Sequence, residues 1–139
     1  MRSFLVLICL AAFLSSCTKG DKNEFDSKIT FAKDYGVDPV SGDTIYSISI
    51  PNGFSPNGDG INDVFFAEGY GIKMEDFTMR IYASNGNLVF YSSDIYNGWR
   101  GMMQGHANLL PLGTYTSDIS LTDTLGHAHR YVNRITTFK

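Results

Sequence analysis

Between Ser55 and Asp63 the chain places Ser55, Asn57, Asp59 and Asp63 at alternate or near-alternate positions, with Gly60 and Ile61 among them. That order follows the ligand and turn positions of an EF-hand-type calcium loop, where carboxylates and carbonyls surround a hard cation. Two strong donors are missing: Ser55 stands where an Asp belongs, and Phe66 where a bidentate Glu belongs. Asn57, Asp59 and Asp63 are thus an incomplete calcium set, and they serve a cation-free loop equally well by folding onto nearby amides as Asx turns. His127 and His129 share one face of a regular strand, but no cysteine or paired acid completes a zinc site, so they read as solvent-exposed. No serine lies in a Gly-x-Ser-x-Gly elbow, and none of the three histidines has an evident Asp partner. No glycine-rich phosphate cradle is present. Trp99, Tyr82, Tyr91 and Tyr96 can be read as a carbohydrate-stacking platform or as core. These residues point away from an enzyme and to no cofactor other than calcium.

The elements that must position these groups are strands. Pro51 and Pro56 fix φ, Gly53, Gly58 and Gly60 tolerate positive φ, and Val64-Phe65-Phe66 enters a core, so 51–65 reads as a rigid loop between strands. Thr44–Ile50, Phe77–Ala83, Leu88–Tyr91, Gly113–Thr122 and Ala128–Phe138 alternate at the strand period, the last slipping near Asn133 as at a bulge. Lys28–Lys33 reads as a first short strand, Asp34–Asp43 as a loop, and Val64–Phe66 as starting or joining a strand. Asn85-Gly86 signals a type I′ hairpin. Asp94–Leu110 is a long connection with Trp99 as its anchor. No stretch keeps a helical period. The chain of 139 residues, 14% aromatic and with 14 glycines, is expected to form an all-β, immunoglobulin-like antiparallel sandwich of six to eight strands.

Residues 1–16 have the form of a signal peptide: Arg2, then the apolar run Phe4–Leu14, too short to span a bilayer as a permanent helix. Leu14-Ser15-Ser16-Cys17 resembles a bacterial lipobox, which implies cleavage before Cys17 and acylation of that residue. Cys9 leaves with the signal, so Cys17 has no partner for an intrachain disulfide. Residues 17–43 then hold the lipidated cysteine, a polar tether over Thr18–Ser27 and the possible first strand, and 44–139 form the domain. The formal charge of −3 becomes −4 once the single charge of Arg2 is removed, which gives no electrostatic footprint for nucleic acid.

The run Ile50-Pro51-Asn52-Gly53-Phe54-Ser55-Pro56-Asn57-Gly58-Asp59-Gly60-Ile61-Asn62-Asp63-Val64-Phe65 resembles the opening of the gliding motility-associated C-terminal domain, also described as the type B sorting domain of the type IX secretion system. The resemblance continues through Ile81-Tyr82, Gly86–Phe90, Gly98-Trp99 and Pro111-Leu112-Gly113-Thr114-Tyr115. It implies a sandwich fold and a sorting motif carried here by Pro56, Asn57, Gly58, Asp59, Gly60, Asn62, Asp63, Phe65, Trp99, Gly113 and Tyr115. Two places depart from the family pattern. Ala83-Ser84-Asn85-Gly86-Asn87 replaces Asn-Arg-Trp-Gly-Asn, and Trp99-Arg100-Gly101 replaces Trp-Asp-Gly. The resulting expectation is a non-catalytic lipoprotein of the Gram-negative outer membrane, at the cell surface or facing the periplasm. It would be held by its lipid anchor and engaged by type IX secretion or gliding machinery. The alternative is a lipid-anchored binding module for a glycan or protein partner that has lost the address.

Overall fold

Alternation along the strands sorts residues 32–139, the part of the chain that the computed structural model describes, into a buried face and a solvent face. The strands are β1 (Ala32–Val37), β2 (Thr44–Ile50), β3 (Gly53–Phe54), β4 (Glu68–Tyr70), β5 (Ile72–Tyr82), β6 (Leu88–Ser92), β7 (Thr114–Asp123) and β8 (Ala128–Thr137). They form a three-stranded sheet in the order β1-β2-β4 and a five-stranded sheet in the order β3-β8-β7-β5-β6. Tyr46, Ile48 and Ile50 of the first sheet share one core with Phe77, Met79, Ile81, Tyr115, Ile119, Leu121 and Ile135 of the second. Each fully buried aliphatic or aromatic side chain of this set contributes roughly 1.5–3 kcal/mol of transfer free energy. The architecture is an all-β sandwich.

β7 and β8 form the longest ladder, in unbroken antiparallel register from Thr114↔Thr136 to Thr122↔Ala128. The bulge expected at Asn133 is therefore absent. Asn133 has the inward parity of Tyr131 and Ile135 and pairs with Ser117, so the pattern slips because a polar residue occupies an inward position. Its Nδ2 is buried with no hydrogen-bond partner among the described residues.

Other expectations need correction. Residues 28–31 lie outside the described residues. The first described strand, β1, runs on through Asp34–Val37, which reads as loop, because pairing with β2 from Ala32↔Ile50 to Val37↔Thr44 supplies the order that the sequence pattern lacks. Val64–Phe66 starts no strand. Phe65 instead makes an isolated two-residue bridge with Trp99. β5 begins at Ile72, and its register with β7 jumps from Lys73↔Thr122 to Thr78↔Ser120, leaving Met74, Glu75 and Asp76 looped out to solvent. The turn after β5 is not type I′: Gly86 N donates to Ala83 O at 2.9 Å, and only Gly86, not Asn85, has positive φ (83°). A β-turn closed by a left-handed glycine goes with the register shift at Ile81/Tyr82, the pattern of a longer hairpin loop with a bulge. One pairing departs from antiparallel order: β3 runs parallel to β8, Gly53 against Thr136 and Phe54 against Thr137.

Candidate functional site

The loop from Ser55 to Asp63 is closed by its own side chains. Asp63 accepts from Gly58 N and Gly60 N, both at 2.6 Å, through its two carboxylate oxygens. Asn57 Oδ1 accepts from Asp59 N at 2.9 Å, and Asp59 Oδ1 from Ile61 N at 2.8 Å. Ser55 N donates to Asn62 O at 2.8 Å across the loop mouth, and Asn62 itself takes the left-handed conformation (φ 54°). The Gly58 and Gly60 amides, with help from the nearby Arg100 charge, hold the Asp63 carboxyl below its ordinary range. Asn57 Oδ1, Asp59 Oδ1 and both Asp63 oxygens thus accept main-chain amides, and Asp59 Oδ2 accepts from Asn57 Nδ2 at 3.0 Å. Among the described residues no three His, Cys, Asp or Glu side chains are grouped to hold a metal.

Beneath the loop is an aromatic knot. Phe65 and Trp99 exchange both main-chain hydrogen bonds at 2.8 Å, and Trp99 Nε1 donates to Met102 O at 2.8 Å. Trp99 packs on Phe54 (ring centroids 5.2 Å apart) and edge-on to Tyr115 (4.8 Å). The Tyr115 hydroxyl donates to Pro111 O at 2.6 Å. Gly113 N donates to Thr137 Oγ1 and Thr137 N to Gly113 O, both at 2.8 Å, so the start of β7 is sewn to the end of β8. Gly98 is needed here for space: a Cβ would stand 2.5 Å from Val64 Cγ1 and 2.7 Å from Phe65 O. Trp99, only 1% exposed, belongs to this knot, so it forms no stacking platform with Tyr82, Tyr91 and Tyr96.

At the opposite end of the β7–β8 hairpin lies a polar cluster that the sequence reading missed. Asp123 is 4% exposed. Its Oδ1 accepts from the main-chain N of Leu125 and of His127, each at 2.9 Å. Its Oδ2 meets His127 Nδ1 at 3.0 Å and His129 Nε2 at 3.1 Å. Burial pushes the Asp123 carboxyl up, but the His127 amide and the two imidazoles outweigh it and hold it far below its ordinary range. His129 stacks on Tyr46 (4.4 Å between centroids), and the Tyr131 hydroxyl bonds both Tyr46 OH and Asp34 Oδ2 at 2.6 Å. The histidines were expected to be exposed and without an acid partner; His127 is indeed exposed, His129 is partly buried, and both contact Asp123. The available signal was parity. Asp123 continues the inward set Tyr115, Ile119, Leu121, and His129 continues that of Tyr131 and Ile135.

The two long borders of the five-stranded sheet are finished differently. On β6, Gln104 N donates to Val89 O at 2.8 Å, and Tyr91 N donates to Gln104 Oε1 at 3.1 Å. On β8, among the described residues, only the last ones are covered: Thr136 N donates to Asn52 O (2.9 Å) and Phe138 N to Phe54 O (3.1 Å).

The model of the CHU_C type IX secretion signal domain family matches residues 48–133, from within β2 to within β8. The chain belongs to that family. Among curated proteins none matches. Among solved structures, the crystal structure of CopC from Methylosinus trichosporium OB3b is similar over 67% of this chain and 74% of that one, at 16% identity and a TM-score of 0.37. Within the CHU_C domain the motif residues divide into two groups. Phe65, Trp99 and Tyr115 are buried in the knot, and Gly113 ties β7 to β8, so these residues build the fold. Asn57, Gly58, Asp59, Gly60 and Asn62 are exposed at the loop tip, with Pro56 and Asp63 half-buried at its base. The structure brings the two groups together at one end of the sandwich. Cys17 lies outside the described residues.

Proposed function

We propose that this chain is an exported lipoprotein whose CHU_C domain is its type IX address. The observation that carries the reading is the family match over most of the folded part of the chain, residues 48–133. In this reading Cys17 carries the acyl chains, Thr18–Ser27 is the tether, and the sandwich faces the secretion machinery. Its role is non-catalytic, and its address is shape: the exposed tip of the 55–63 loop and the final strand. Neither the family nor the all-β fold is typical of enzymes. This reading calls for no cation, and the two amides held by Asp63 support a loop that keeps its shape without one. A second reading, a lipid-anchored binding module, is favoured by one feature. Arg100, where the family carries an acid, lines a shallow cavity with Pro56, Asn57, Gly58, Asp63 and Leu109.

The test is protease accessibility on intact cells of the full chain with a tag after Phe25, in a type IX-competent strain and a secretion-null one. Accessibility only in the competent strain is the expected result. Equal protection in both would leave a periplasm-facing lipoprotein and defeat the export reading. Equal accessibility in both would mean another export route.

A further inference from the structure

In an extended strand the N–H and C=O of successive residues point to opposite sides. Thr137 N bonds Gly113 O, on the β7 side, whereas Thr136 N and Phe138 N bond Asn52 O and Phe54 O on the other side. Carrying this alternation back along the regular β8 register turns the main chain of Ala128, Arg130, Val132 and Arg134 to the outer edge. Among the described residues no strand pairs with that stretch, because β3 reaches only Thr136 and Thr137. The β6 edge, by contrast, is capped by Gln104.

The side chains flanking this edge narrow what fits. Arg130 and Arg134 project on the solvent face on either side of Val132. Arg130 is held by Asp118 through Nε–Oδ1 (2.9 Å) and Nη2–Oδ2 (2.8 Å), while Arg134 has no carboxylate partner among the described residues. An antiparallel pairing of two copies about Val132 would set Arg130 of each against Arg134 of the other, and like charges directly opposite are destabilising. A strand that sets a carboxylate beside Arg134 avoids that clash and gives the unpaired guanidinium a counter-charge.

We propose that the outer edge of β8, over Ala128–Arg134, accepts an extended, carboxylate-bearing strand of the protein that receives this chain for export; the proposal rests on the sorting reading above. Edge addition of this kind takes its affinity from main-chain hydrogen bonds and its choice of partner from alternate side chains.

The test uses the full chain in cells. Val132→Pro removes an outward-facing N–H and no β7 bond, so the fold is kept, as proline is tolerated at sheet edges. Arg134→Glu changes only an exposed side chain and serves if Val132→Pro does not fold. Export is expected to fall about tenfold in each, from lost edge pairing and reversed charge, and to stay near the parent level in Arg134→Lys. Equal loss in Arg134→Lys and Arg134→Glu would remove the charge argument. A photo-crosslinker at position 132 that joins residues 18–31 of the same chain, or a second copy, overturns the proposal by naming another occupant. Parent-level export of both Val132→Pro and Arg134→Glu overturns it too, yet leaves the sorting reading intact. That reading fails separately, if the parent chain is exported equally well without the secretion system.

Discussion

The two ends of the β7–β8 hairpin are closed by opposite chemistry. At the end where β7 begins, Phe54, Phe65, Trp99 and Tyr115 interlock, and their polar atoms find main-chain partners at 2.6–2.8 Å. At the end where it turns, one buried carboxylate, Asp123, gathers two main-chain amides and two imidazoles. The aromatic end tolerates no hole. The polar end tolerates no loss of charge. The aromatic knot depends chiefly on volume; the other end depends on a proton staying off a buried carboxylate.

Trp99→Ala is the strongest way to break the comparison. It empties the knot and leaves the Met102 carbonyl unpaired, with an expected loss of about 3–5 kcal/mol in urea unfolding. Equal stability would mean that the knot is not what closes this end. Asp123→Asn comes next: it is expected to lower the melting temperature at pH 7 by several degrees, less than Trp99→Ala does. A change smaller than that of an exposed control such as Asp59→Asn would show that the cluster is ornamental.

The pH dependence sharpens the contrast. Because the folded Asp123 carboxyl is held below its unfolded value, its contribution is fully present above roughly pH 4 and is lost as the pH falls through the lowered folded value. The unfolded chain takes up the proton first there, so stability drops with acidification. Parent and Trp99→Ala should lose stability in parallel below about pH 4, and Asp123→Asn should have a shallower acid limb. Identical limbs in all three would sink this account. The smallest effect is expected at the 55–63 loop. Asp63→Asn should speed hydrogen exchange at Gly58 and Gly60 with little change in global unfolding, and millimolar calcium should leave the melting temperature of the parent unmoved. A clear upward shift with calcium would restore the cation reading.

These two ends also differ in how far they could be read from the sequence. The aromatic end announces itself, since Pro51–Phe65, Gly98-Trp99 and Pro111–Tyr115 carry the family motif and strand alternation locates β2, β5 and β7. Even there, motif membership did not separate residues that build the fold, such as Trp99, from those left at the surface, such as Asp59. The polar end was hidden because Asp123, His127 and His129 are ordinary turn and strand residues until the hairpin register is known. Asp34 reaches Tyr131 across 97 positions, a contact no local pattern contains. β1 was misread for the same reason: an edge strand with Asp34 and Gly36 in it takes its order from β2 and not from its own composition. Asn133 shows the reverse error, where a polar residue in a regular strand imitates a bulge.

The parallel pairing of β3 with the end of β8 has a consequence for the order of events. Gly53 and Phe54 find their partners only at Thr136 and Thr137, and the hydrogen bond from Phe138 N to Phe54 O comes last along the chain. β3 therefore cannot pair until the end of β8 has emerged, although β1, β2 and β4 can already pair with one another. Such long-range closure is slow. In the export reading proposed above, that delay would lengthen the time for which the chain stays unfolded.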